Sequence, residues 1–132
     1  MRIMLDTNVL ISMILFRGKG FLQLLEYITQ NHTLILSSFV INELLEVTRQ
    51  KFPAKLPVID YFLSNLNYEL VYTPTHIPPN LFQIRDSNDY PVLYSAITND
   101  IDIFITRDKD FQNISVDNLK ILTPAEFIDN YL

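Results

Sequence analysis

Carboxylates recur in this sequence at the ends of apolar runs. Asp6 separates RIML from NVLISMILF, and Glu43 sits inside VINELLEV, just after HTLILSS. Asp86 and Asp89 fall in RDSNDYPVLYSAI, and Asp108 follows IDIFIT, two residues beyond Thr106. A single Asp beside a helix start is ordinarily an N-cap, which covers Asp6 and Asp89 taken alone. Thr123-Pro124-Ala125-Glu126 is a full capping box with Pro at the first helical position, so Glu126 has no further role. Glu43 resists that explanation. No Ser or Thr stands three residues before it, and Ile41, Leu44 and Leu45 around it should face a core. A carboxylate beside such a face is costly unless something pairs with it. Asp110 reads as an ordinary polar turn residue.

Acids gathered at one place must either take up protons or hold a hard cation, because two carboxylates about 4 Å apart repel by roughly 4 kcal/mol at an effective dielectric of 20. Mg²⁺ and Mn²⁺ prefer oxygen ligands and complete their coordination with water and phosphate. Such an ion deprotonates water near neutral pH and stabilises a leaving oxygen. No other constellation competes. The chain has no Cys, which excludes disulfides and thiolate chemistry, and its two His residues, His32 and His76, lie in unrelated contexts, too poor a set for zinc. Metal-assisted phosphodiester hydrolysis is the reaction class these residue types suit.

The acids converge only if the elements that carry them do. RIML reads as a strand, followed by helices over NVLISMILF and FLQLLEYITQN with the RGKG break between them; HTLILSS is a strand and FVINELLEVTRQ a helix. Pro53 and Pro57 punctuate a turn before the helix VIDYFLSNL; YELVY is a strand, and an irregular loop leads to the helix PVLYSAITND. IDIFITRD and LKIL are strands, and PAEFIDNYL is a closing helix. Strands alternating with helices, with LILS and IFIT continuously apolar, predict a three-layer α/β/α sandwich around a mainly parallel sheet. In such a sheet the functional crevice lies beyond the carboxyl ends of the strands, where each of these acids falls.

At 132 residues and 48% hydrophobic, the chain is expected to form one domain, 1–132, with a core that needs no staples. No apolar run approaches the roughly 18 residues of a membrane span, and Met1 leads directly into a charged residue and a strand, so neither a membrane segment nor a secretory signal is expected and the location read is cytoplasmic. The net charge of −5 argues at first against a nucleic-acid partner. Charge placement qualifies this, since Arg85 abuts Asp86 while Arg107 and Lys109 flank Asp108.

DTNVL after an opening strand, a Glu on the helix after a strand ending in Ser, RDSNDYPVLYSA, and ITRDKDF together resemble the PIN-domain family across essentially the whole chain. The closing ILTPAEFIDNYL is similar to the VapC-like branch, the toxin components of toxin–antitoxin systems. The resemblance implies a Mg²⁺- or Mn²⁺-dependent endoribonuclease with Asp6, Glu43, Asp89 and Asp108 as the metal-binding acids. Asn8 would orient Asp6, Thr106 would support the site by hydrogen bonding, and Ser38 matches the small hydroxyl residue before the Glu-bearing helix. The family's third motif in this branch often carries consecutive acids, whereas Asn88 and Tyr90 flank Asp89 here; its distance to Ala96 matches the motif, and Asp86 is the second candidate. Arg85, Arg107 and Lys109 would engage phosphates beside the scissile bond, with Arg17 and Lys19 extending the path. The implied partners are an RNA substrate, an antitoxin and a second copy in a homodimer. On the residues alone two other readings stay open: a PIN-like module that binds RNA or protein without cutting, and a nuclease directed at DNA or flaps.

Overall fold

Ile3, Met4 and Leu5 are all fully buried, although successive residues of a strand point to opposite faces. Ile103, Phe104 and Ile105 repeat the pattern, so both faces of the sheet centre are covered. The computed structural model describes residues 1–16, 19–74, 76–78, 89–111 and 114–132, Lys19 by its backbone alone. Its strands are β1 (Arg2–Leu5), β2 (Thr33–Ser37), β3 (Glu69–Val71), β4 (Ile103–Ile105) and β5 (Lys120–Leu122). Its helices are α1 (Thr7–Leu15), α2 (Lys19–Asn31), α3 (Ser38–Lys51), α4 (Leu56–Asn65), α5 (Tyr90–Thr98) and α6 (Pro124–Tyr131). The elements expected from the sequence are all present, and the fold is an α/β sandwich.

Every strand pair is parallel, and the order is β3-β2-β1-β4-β5. The chain builds outward from β1 through β2 to β3, then returns to the other side of β1 for β4 and β5. That reversal opens a crevice beyond the carboxyl ends of β1 and β4, the switch point at which open parallel sheets bind ligands. Asp6 leaves one of these strands and Thr106 the other.

Local chemistry explains where the elements stop. Just past the end of α5 and its C-cap Asn99, Asp100 has φ 55°, while Ile101 N–H reaches back to Ala96 O at 3.2 Å. An Asx residue in the left-handed region closes the helix there, since both glycines of the chain, Gly18 and Gly20, lie elsewhere. The turn before β5 uses Asn118 in the same way, with φ 64°. Pro57 does not precede α4 as expected but lies in its first turn, after a 3₁₀ turn over Pro53–Lys55. At that position the missing N–H of proline has no helical partner to lose.

Candidate active site

Asp6 stands at the seam between β1 and α1. It caps α1, accepting from Thr7 N–H on Oδ1 at 2.8 Å, and its own N–H joins the sheet by donating to Ile105 O at 3.0 Å. Its second oxygen, Oδ2, accepts from the Thr106 hydroxyl at 2.7 Å, and Thr106 Oγ1 in turn accepts from Asp108 N–H at 3.0 Å. Thr106 therefore ties the end of β1 to the loop after β4, as a supporting hydroxyl would. Asp6 is only 5% exposed. Burial pushes its carboxyl up to about 6, against the hydrogen bonds from Thr106 and Thr7, and the charges of Glu43 and Asp108 push it the same way. Both of those acids thus lie within the electrostatic reach of Asp6.

A second grouping shares Asp108. Carboxylate oxygens of Asp89, Asp108 and Asp110 lie within 4.8 Å of one another, all three side chains half-buried. Asp89 occupies the N-cap position of α5 with αR backbone angles, and its side chain makes no capping bond, so capping does not explain it. Asp110 has a place in this group beyond that of an ordinary turn residue. It stands in a 3₁₀ turn over Lys109–Phe111, its N–H donating to Asp108 Oδ1 at 2.9 Å. The turn is pinned from below by Phe111, buried and packed edge-on against Phe104 at 5.2 Å between ring centroids. The available signal was the i, i+2 spacing in TRDKDF with an aromatic next in line, which lets a tight turn present both acids to one side.

Glu43 is half-buried on α3. The helix is capped by Ser37, whose Oγ accepts from Val40 N–H at 3.2 Å. Ser38 is thus not the residue preceding the helix but its first member, and its Oγ accepts from Thr73 N–H at 2.9 Å, holding the exit of β3 against α3. Asn8 also departs from expectation. Its Oδ1 accepts from Arg107 N–H at 3.2 Å, so it steadies the Asp108 loop while Thr7 and Thr106 orient Asp6. Arg107 is exposed, and its head turns toward α1 and α2, donating to Ser12 Oγ at 2.6 Å. Lys109 is exposed. Tyr90 donates its hydroxyl to Pro78 O at 2.7 Å. Arg85, Asp86 and Arg17 lie outside the described residues, as does the side chain of Lys19.

The donor set consists of carboxylate oxygens alone, which suits a hard, oxygen-seeking divalent cation and gives zinc none of its usual nitrogen or sulfur. The residues fit the ion that the chemistry calls for. The PIN-domain family matches residues 2–110 of the sequence, a span that contains all of these acids. The chain belongs to the PIN-domain family. The PIN fold is also found among solved structures. A chain of VapBC2 from Rickettsia felis, in a crystal structure bound to a DNA fragment from their promoter, is 22% identical over 92% of this chain and 97% of that one, with a TM-score of 0.70. A chain of DNA-bound VapBC from Salmonella typhimurium gives 16% identity, 94% and 98% coverage and a TM-score of 0.68. VapBC-1 from nontypeable Haemophilus influenzae gives 20% identity, 95% and 99% coverage and 0.65. At these identities the likeness is one of fold. No curated protein matches the sequence.

Proposed function

We propose that this PIN domain is a divalent-metal-dependent endoribonuclease that hydrolyses RNA phosphodiester bonds and serves as the toxin of a type II toxin–antitoxin pair. The observation that carries the reading is the gathering of acids at the β1/β4 switch point: Asp6 is buried there within electrostatic reach of Glu43 and Asp108, and Asp108 is shared with Asp89 and Asp110. Asp6, Glu43, Asp89 and Asp108 are the metal-binding set in this reading, with Asp110 beside them. A bound Mg²⁺ or Mn²⁺ supplies an ionised water near neutral pH and charge compensation at the leaving oxygen. The chain's own contribution is placement. Thr106 and the Thr7 amide hold the two Asp6 oxygens, and the 3₁₀ turn presents Asp108 and Asp110 together. Lys109 and Arg85 are the cations proposed to meet flanking phosphates.

The toxin assignment is supported by the family and by the likeness to chains of VapBC complexes. A partner protein has an apolar surface to use: a groove of about 310 Å³ lined by Met13, Ile14, Leu22, Val58, Phe62 and Leu66, of the kind that receives the apolar face of an amphipathic helix. None of the acids lines it. We further assign the protein to the cytoplasm and to a homodimer; among the described residues no single helix is long and apolar enough to cross a membrane. RNA rather than DNA is proposed on family resemblance.

Cleavage of a fluorescent single-stranded RNA panel with Mn²⁺, with Mg²⁺ and with EDTA tests the reading, with Asp6→Asn as the contamination control. Metal-dependent cutting that the variant lacks is the expected result. No cutting by folded, metal-loaded, antitoxin-free protein would overturn it in favour of a non-cutting RNA- or protein-binding module, and cutting of a matched DNA panel alone would turn it into a DNA nuclease.

A further inference from the structure

Arg107 lies between Thr106, which holds Asp6, and Asp108, which joins both acid groupings. The residue is anchored at both ends to consecutive turns of α1. Its backbone N–H donates to Asn8 Oδ1 at 3.2 Å, and its Nη1 donates to Ser12 Oγ at 2.6 Å. Ser12 Oγ closes the loop by donating to Asn8 O at 3.0 Å. The guanidinium carbon lies 5.9 Å from the centroid of the Phe21 ring on α2, within range of a cation–π contact. A short charge-assisted bond to a hydroxyl that is itself bonded to backbone fixes the head more firmly than solvent would. Ser12 is 5% exposed, so it has no route to a nucleic acid.

We propose that Arg107 is a positioning residue: it braces the loop carrying Asp108 against α1, the helix whose first turn is capped by Asp6, and does not contact substrate phosphate. The physical need is repulsion. In the metal-free protein Asp108 is linked to Asp6 through the Thr106 hydroxyl, lies within its electrostatic reach and shares its group with Asp89 and Asp110, and like charges in a half-buried site repel. Thr106 Oγ1 and the buried Phe111 hold the loop on either side of Asp108. The Arg107 brace resists displacement at the residue directly before it, toward the element that carries Asp6. Its consequence for cleavage rests on the nuclease reading; its consequence for loop order does not.

The test uses Ser12→Ala, Arg107→Ala and the double variant, each in the full chain. Amide hydrogen exchange of the metal-free protein reports the loop directly. Both single variants are expected to speed exchange at Asp108 and Asp110 by about tenfold, with other amides unchanged. Mn²⁺ titration of the protein without RNA should show affinity weakened by about tenfold, the size of effect expected when a group that orients a metal ligand is removed. Cleavage should lose kcat with KM for RNA and its salt dependence unchanged, and the double variant should be no worse than either single one. Unaltered exchange in Ser12→Ala overturns the proposal. So does a rise in KM with a shallower salt slope for Arg107→Ala while Ser12→Ala is silent, the signature of a lost phosphate contact. If the wild type neither binds Mn²⁺ nor cuts, it is the nuclease reading that fails, and exchange alone decides the brace.

Discussion

Asp6 is set against itself: a buried carboxylate, doubly hydrogen-bonded for the charged form, in the field of two further acids. Burial and the charges of Glu43 and Asp108 win, lifting it from 3.8 to about 6. Between those values the folded protein keeps a proton that the unfolded chain has released. The stability tied to protonated Asp6 is therefore full below 3.8 and lost as pH rises through about 6. A shift of this size corresponds to roughly 3 kcal/mol. Metal-free Asp6→Asn should accordingly be the more stable protein at pH 7, with the advantage shrinking toward pH 4, as urea midpoints across that range will report. The amide that replaces the carboxylate can still accept from Thr7 N–H and can donate to Thr106 Oγ1, so the local frame survives while cleavage is lost. For the third acid, Asp89→Asn should reduce cleavage more than Asp86→Asn; the opposite ranking would move the ligand to Asp86. Asp110→Asn should weaken Mn²⁺ binding, because its carboxylate shares the group of Asp89 and Asp108.

At the scale of elements, the caps separate stability from chemistry. Ser37 caps α3, whose first turns carry Glu43, and Thr123 caps α6 with a complete capping box. Replacing either by Ala should cost about 1 kcal/mol. Ser37→Ala should also lower cleavage, since fraying of α3 reaches Glu43, whereas Thr123→Ala should leave cleavage intact; urea melts paired with the RNA assay distinguish the two. The same elements mark where sequence pattern is legible. The strand cores LILS and IFI and the α6 capping box could be read directly, because burial and capping are enforced by residue type at fixed spacing. Ser37 against Ser38 could not. Both are serines at the seam, and only the position at which the chain leaves β2 decides which hydroxyl faces the free N–H groups and which turns to Thr73.

For the whole molecule, a gathering of acids is a charge problem that a cation relieves. Mn²⁺ at about 100 times its dissociation constant should stabilise the fold by about 2.7 kcal/mol, seen as a raised Tm that EDTA reverses and Asp108→Asn abolishes. The sheet order makes that gathering possible. Asp6 and Asp108 are far apart in sequence and become neighbours because β1 and β4 pair directly, with Leu5 opposite Ile105. Local periodicity and residue type carry the α/β class, the run of elements and the presence of carboxylates at strand ends. The partnerships arise only in the assembled sheet: Thr106 serves Asp6, Asn8 and Arg107 serve the Asp108 loop, and Asp110 joins Asp89. These depend on distances across the sheet and on how a turn packs onto Phe104. Hydrophobic spacing encodes which side of an element is buried, but a hydrogen bond between residues about a hundred positions apart is fixed only when the strands that bear them lie side by side.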